Sequence, residues 1–250
     1  MLKALNNLGS GFGRLVFGPP PDTHTDLDLR VETKFVSELN NIDSVTRWIK
    51  GYKAGFKKLH HPRQINNIYF DTFDYLSYGE NLAGISRRIK ARLRWYGETR
   101  EVLTQPVMEF KNRIGKQGWK NSFQLENIDL SLSWDLLQNS IRHQLPPEGE
   151  IIFLSFPMPT LINQYRRNYF LSSDGKLRIT VDEGIKVFDQ RNSNRPKFYP
   201  GMNMPDYIVV EFKYHRDDFL VVGETIKDFP LRPSRSSKYV TGMKAIVEAV

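Results

Sequence analysis

The sequence predicts a strand-dominated α+β fold, all-β in its main body, whose antiparallel strands curve into a barrel with a basic interior and helices at the periphery. Three observations carry that expectation. Several segments alternate apolar and polar residues at a period of two. Helical patterns do not separate them regularly, as they would in a doubly wound sheet. On strand after strand, the polar face holds Lys or Arg beside Glu or Asp.

Taken in chain order, residues 1–26 carry four glycines and the run Pro19 to Pro21, the composition of a flexible lead-in, and residues 27–250 form the folded domain. Leu29 to Val36 sets Arg30, Glu32 and Lys34 against Val31, Thr33 and Phe35. Asp43 to Tyr52 has helical spacing, with Val45, Trp48, Ile49 and Tyr52 on one side. Asn67 to Asp71 is a short apolar strand, and the basic stretch before it, with His60 and His61, reads as a loop. Arg88 to Tyr96 alternates Arg88, Lys90, Arg92 and Arg94 with Ile89, Ala91, Leu93 and Trp95. Val107 to Arg113 sets Glu109 and Lys111 against Met108 and Phe110. A helix is expected from Ser131 or Ser133 to His143, on the spacing of Trp134, Leu137 and Ile141. Residues 162–172 and 177–188 form two strands around Asp174-Gly175, a hairpin signal. Gln190 to Pro205 is a long loop, Tyr207 to Tyr214 a strand with Glu211 and Lys213 on its polar side, and Lys238 to Val250 a last helix.

The chain has 250 residues, no cysteine, and 36 Lys plus Arg against 28 Asp plus Glu, a net charge of +8. It therefore has no disulfide framework and no thiolate chemistry. The charge points to an anionic partner: nucleic acid, phospholipid or a small polyphosphate. No apolar run approaches a membrane span, and the opening residues lack the apolar stretch of a signal peptide, so a cytoplasmic protein is expected. The sequence contains no Walker loop, no HExxH and no GxSxG, which removes support for the P-loop, zincin and esterase routes.

Arg88 to Arg94 carries the most chemistry. Four cations at alternate positions share one face of a strand and repel one another unless an anion neutralises them. Taken alone, such a strand could simply turn its charges to water. Repetition argues otherwise, because Glu32 with Lys34, Glu109 with Lys111, Arg178 with Asp182 and Glu211 with Lys213 repeat the arrangement. A barrel interior would let the cations grip phosphate oxygens while a few carboxylates hold Mg²⁺ or Mn²⁺.

Eight stretches in order give the chain a resemblance: RVETKF (Arg30 to Phe35), NIYFDT (Asn67 to Thr72), KARLRWYG (Lys90 to Gly97), MEFK (Met108 to Lys111), QYRRNYF (Gln164 to Phe170), LRITVDEG (Leu177 to Gly184), VVEFK (Val209 to Lys213) and SSKYVTG (Ser236 to Gly242). With these it resembles the VTC domain, the polyphosphate polymerase domain of the triphosphate tunnel metalloenzymes. The related thiamine-triphosphatase and class IV adenylate cyclase branch opens with Glu-x-Glu-x-Lys; here Arg30 takes the place of the first Glu, which favours the VTC-like branch.

The resemblance implies a tunnel of about eight antiparallel strands. It implies phosphate-gripping roles for Lys34, Arg92, Arg94, Lys111, Lys120, Arg167, Arg178 and Lys238, to which Lys213 is added from its place on a polar face. Lys34, Arg92, Arg94, Arg167 and Arg178 would neutralise charge during catalysis. Glu211 would be the main metal ligand, with Glu32, Glu109 and Asp182 as secondary candidates. The expected function is metal-dependent phosphoryl transfer on a linear polyphosphate, as a polymerase using a nucleoside triphosphate. The alternatives are a tri- or polyphosphate hydrolase and a binding module for polyphosphate or nucleic acid. Trp95, Tyr96, Tyr165 and Tyr169 could stack on bases, but an oligonucleotide-binding groove would place such aromatics on the cationic face, where only Tyr96 of Arg88 to Tyr96 falls.

Overall fold

The computed structural model describes residues 30–99, 101–115, 117–202 and 204–249, so the expected lead-in at 1–26 lies outside the described residues. The strands are β1 (Arg30–Glu38), β2 (Lys57–Asp71), β3 (Arg87–Tyr96), β4 (Val102–Thr104), β5 (Val107–Ile114), β6 (Gln117–Gln124), β7 (Asn127–Asp129), β8 (Met158–Leu171), β9 (Leu177–Asp189) and β10 (Tyr207–His215). The helices are α1 (Ile42–Gly51), α2 (Leu76–Leu82), α3 (Trp134–Arg142), α4 (Pro147–Leu154), α5 (Phe219–Lys227) and α6 (Lys238–Glu248). None of them is long and apolar enough to cross a membrane.

Eight strands form one antiparallel sheet in the order β1-β10-β9-β8-β2-β3-β5-β6, and β4 pairs with β7 separately. The count and the antiparallel sense match the expectation, and the sheet curls into a half-barrel. Among the described residues no ladder joins β1 to β6, so the barrel is not closed by strand pairing. The curl is deep all the same. Strands β1 and β5 are six positions apart, about 29 Å in a flat sheet, yet the charges of Glu32 and Lys111 act on one another across the trough.

Period-two alternation produces this shape. In β3, Ile89, Ala91, Leu93 and Trp95 point to the convex face and are at most 3% exposed. There they join Phe110, Trp134, Leu137, Ile141 and Phe153 in a core that roots α3 and α4 on the sheet. A second convex core gathers Phe35, Val45, Ile49, Val210 and Phe212 under α1 and α5. The charges fall on the other, concave face, beside apolar residues such as Tyr69, Leu161 and Val209.

Helix α6 instead packs into one end of the concave face. Tyr239, Met243 and Ile246 lie against Tyr69, Leu161 and Val187. A side chain at Gly242 would come within 2.9 Å of Leu161 Cδ2, so glycine is what lets the helix approach this closely. Gly184, at φ +61°, sits where the β8–β9 register shifts, and that irregularity brings Asp182 and Val187 to the same face.

The segment before α6 straps the edge of β1. Phe35 bridges Pro233, Ser234 N–H donates to Lys34 O at 2.7 Å, and Val36 N–H donates to Ser234 Oγ at 2.9 Å. A paired edge no longer offers its backbone groups to another chain. The strap then crosses toward β3, where Lys90 Nζ donates to the Ser237 hydroxyl at 2.8 Å.

Candidate active site

The register fixes which side chains share the trough. Lys34 pairs with Glu211, Glu32 with Lys213, and Lys213 with Arg178 across β1, β10 and β9. Arg167 pairs with Asp182 across β8 and β9. On the other wall Arg92 pairs with Glu109, Lys90 with Lys111, and Lys111 with Lys120. Lys238 enters from the first turn of α6.

Each carboxylate is held by cations. Glu109 accepts from Arg92 Nε and Lys120 Nζ, both at 2.6 Å. Asp182, fully buried, accepts from Arg167 Nε and Nη2 and from Lys238 Nζ. Lys34 Nζ lies 2.8 Å from Glu32 and 3.5 Å from Glu211, and Lys213 Nζ lies 3.5 Å and 3.2 Å from the same two. Arg94 is fixed by Asn67 Oδ1 at 2.8 Å and the Tyr165 hydroxyl at 3.3 Å, which leaves it 3.8 Å from Glu109.

The electrostatics follow from that crowding. Burial and Glu211 push the Glu32 carboxyl up, but Lys111, Lys34 and Lys213 outweigh them and hold it at about 2. Burial pushes Glu109 up, and Arg92, Arg94 and Lys120 bring it down to about 2. Glu211 is held well below the carboxylate range by Lys213, Lys34 and Arg167, against its burial. All three are therefore ionised at neutral pH. Burial, with Lys111, Lys34, Arg88 and Arg92 nearby, drives Lys90 well below the ordinary lysine range. Lys111 is reached by solvent, but protein walls surround it; that burial, with Lys34 and Arg92 close by, lowers it to about 8 despite Glu32 and Glu211.

A pH dependence follows. Lys111 carries its charge below about pH 8 and loses it above. An anion in the trough favours the charged form, so binding above pH 8 should draw in a proton. Tripolyphosphate affinity should fall about tenfold from pH 7 to 9.5, the loss of one charge-assisted contact. In Lys111→Arg, whose guanidinium does not titrate, the profile should be flatter. Titration calorimetry at the two pH values checks both, and identical profiles for the two proteins would remove Lys111 from the binding site.

The trough thus gathers Lys34, Arg92, Arg94, Lys111, Lys120, Arg167, Lys213 and Lys238 with all four expected carboxylates. Arg178 shares the face by register but, among the described residues, forms no ion pair with those carboxylates. Lys90 belongs to the site and was left out of the expected set, although the alternation of β3 already placed it on the cationic face. Ser236 and Ser237 were also missed; Ser236 offers its carbonyl to Lys34 Nζ at 3.3 Å. His60 and His61, expected on a loop, lie in β2.

For a divalent ion, Glu32 and Glu211 are the side chains that fit. Glu211 lies close enough to push the Glu32 carboxyl up, and their cationic partners, Lys34 and Lys213, are shared. Among the described residues no three His, Cys, Asp or Glu side chains group around a metal position, so phosphate oxygens would have to complete the coordination. The oxygens of Glu109 and of Asp182 meet cations at 2.7 Å or less, against 2.8–3.8 Å for Glu32 and Glu211, so Glu109 and Asp182 are the more tightly paired.

A candidate adenylate cyclase from Vibrio parahaemolyticus superposes with a TM-score of 0.48 and 13% identity, over 86% of this chain and 97% of that one. A Pyrococcus horikoshii protein gives 0.44 and 11%, over 88% and 99%. A candidate adenylyl cyclase from Hippeastrum, described as having a dominant triphosphatase activity, gives 0.44 and 14%, over 86% and 94%. No curated protein sequence is significantly similar to the chain. The family model of the VTC domain matches residues 29–247, nearly the whole length, and the chain belongs to the VTC domain family.

Proposed function

We propose that the trough binds a linear triphosphate or polyphosphate and, with a divalent metal, extends polyphosphate by transferring the terminal phosphoryl group of a nucleoside triphosphate. The observation that supports this most directly is the convergence of ten basic side chains, Arg178 included, from seven strands and α6, on a face with four carboxylates. The surplus of cations suits a ligand with a charge on every repeat.

A terminal oxygen of the growing chain attacks the γ-phosphorus, the bond from that phosphorus to the βγ-bridging oxygen breaks, and the nucleoside diphosphate leaves with the bonding electrons. No covalent protein intermediate is required, since phosphoryl transfer runs on positioning and charge. Arg92, Arg94 and Arg167 offer forked donors for the equatorial oxygens. Lys34, Lys111, Lys213 and Lys238 add point charges along the chain. Glu211 and Glu32 would hold a Mg²⁺ or Mn²⁺ ion, which would supply positive charge against the negative charge that develops on the leaving group.

Incubation with ATP and either metal, followed by separation of the products, tests the reading. Long anionic polymer is the expected result. Orthophosphate alone would make water the acceptor and the protein a hydrolase. Tight tripolyphosphate binding without turnover would make it a binding module. Displacement of bound polyphosphate by duplex DNA, at concentrations where tripolyphosphate has no effect, would sink the polyphosphate reading of the trough.

A further inference from the structure

At the end of the trough away from α6, Tyr169, Arg63 and His60 form a structure that the phosphate cluster does not use. Tyr165, Arg167 and Tyr169 alternate along β8, and Tyr169 lies eight residues, about 26 Å, from Leu161, where α6 packs. Tyr169 is half-buried. Its neighbours are Arg167, which belongs to the phosphate cluster, and Tyr96, which is 50% exposed.

The opposing strand is irregular at this point. Residues 60 and 63 of a regular strand would face opposite ways. A register shift between His60 and Arg63 places His60 opposite Tyr169 and Arg63 opposite Arg167, so both join the concave face. Bulges commonly re-aim side chains at barrel rims. The His60 ring stands edge-on to Tyr169, with centroids 5.4 Å apart at 79°. The Arg63 guanidinium lies over the Tyr169 ring, 6.0 Å from its centre.

That spacing is too wide for direct stacking and slightly narrow for a sandwich. A flat base between two planar groups needs them about 7 Å apart, twice the ~3.4 Å stacking distance of bases. Arg63 is exposed and can move outward by the difference. Of the other aromatics raised by the sequence, Tyr96 is exposed beside Tyr169 and two are enclosed. Trp95 is buried in the convex core, and Tyr165 is buried with its hydroxyl on Arg94.

We propose that Tyr169 and Arg63, with His60 bracing the tyrosine ring, form a shelf for the base of a nucleoside triphosphate whose phosphates lie on Arg167 and the cations beyond it. The inference rests on the triphosphate reading above and adds to it a preference for a nucleotide over bare polyphosphate. The shelf reads a π-face and carries no pattern of base-edge donors or acceptors, so it accepts purine nucleotides broadly.

The experiment is calorimetric titration of the full chain, with Mg²⁺, by ATP and by tripolyphosphate. Tyr169→Ala should weaken ATP about tenfold and leave tripolyphosphate within about twofold, while Tyr169→Phe keeps both affinities. An unchanged ATP affinity in Tyr169→Ala overturns the shelf. A parallel loss of both ligands also overturns it, because it marks a structural role for the ring. Should the wild-type protein fail to hold tripolyphosphate at all, the phosphate reading falls, and the shelf with it.

Discussion

Asp182→Ala should lower the stability of the protein by about 3–5 kcal/mol, the usual consequence of removing one member of a buried charge cluster. The carboxylate is fully buried and holds Arg167 and Lys238, the two cations that tie β8 and α6 to β9. Without it, two positive charges stand together, with Glu211, 3.8 Å from Arg167, as the remaining carboxylate partner among the described residues. At about 2–4 °C per kcal/mol for a chain of this size, the melting temperature should fall by about 10 °C. Tripolyphosphate should then recover more stability in the variant than it adds to the wild type, because its oxygens supply the missing negative charge. Thermal melts of both proteins with and without tripolyphosphate measure this. A variant that melts with the wild type would show that α6 is held by its apolar contacts alone.

Acid should act on the same cluster. The Asp182 carboxyl is depressed in the folded protein, where Lys238 and Arg167 outweigh its burial. Its contribution is therefore complete above the unfolded carboxyl pKa of about 3.9 and is lost as the pH falls through the lower folded value.

What could be read from the sequence depended on period. Strand β3 was legible because its four cations recur at every second residue and its apolar residues fill the gaps. The hairpin of β8 and β9 was legible from its turn, where Gly175 adopts φ +74° and Asp174 Oδ1 accepts from Lys176 N–H at 3.1 Å. The first half of β2 was not legible. Lys57 to Gln64 holds a proline and two register shifts, so its alternation is broken, and it pairs there with β8 alone. Strand β6 runs through Lys120, Asn121, Ser122 and Gln124, which gives little apolar contrast. Helices α4 and α5 showed only as the short apolar runs Ile151 to Leu154 and Phe219 to Val222.

The site divides the same way. Charged residues on regular strands announced themselves. Ser236 and Ser237 did not, because a backbone carbonyl and a capping hydroxyl leave no charge pattern. Closure of the barrel was also beyond the sequence. Strand count and alternation are the same for a closed barrel and for a curled sheet whose edge is strapped by residues 233–234.

Glu211→Gln should separate binding from chemistry more sharply than any other substitution. Glutamine keeps the volume and removes the charge. Lys34, Lys213 and Arg167, now attached to Glu211 at 3.5, 3.2 and 3.8 Å, each lose one of two carboxylate partners and have more charge to offer phosphate. Tripolyphosphate affinity should therefore hold or rise severalfold. A metal site built on two carboxylates loses half its anionic ligands, and the charge the ion would offset in the transition state amounts to several kcal/mol. Turnover of ATP should fall by about a hundredfold or more. Glu32→Gln should act in the same direction on turnover, since Glu32 shares Lys34 and Lys213 with Glu211. Initial rates with ATP, alongside calorimetric titration with tripolyphosphate, give the two readouts. Normal turnover in Glu211→Gln would remove this residue from the metal site. Loss of tripolyphosphate binding together with turnover would show instead that Glu211 positions the cations of β1, β8 and β10.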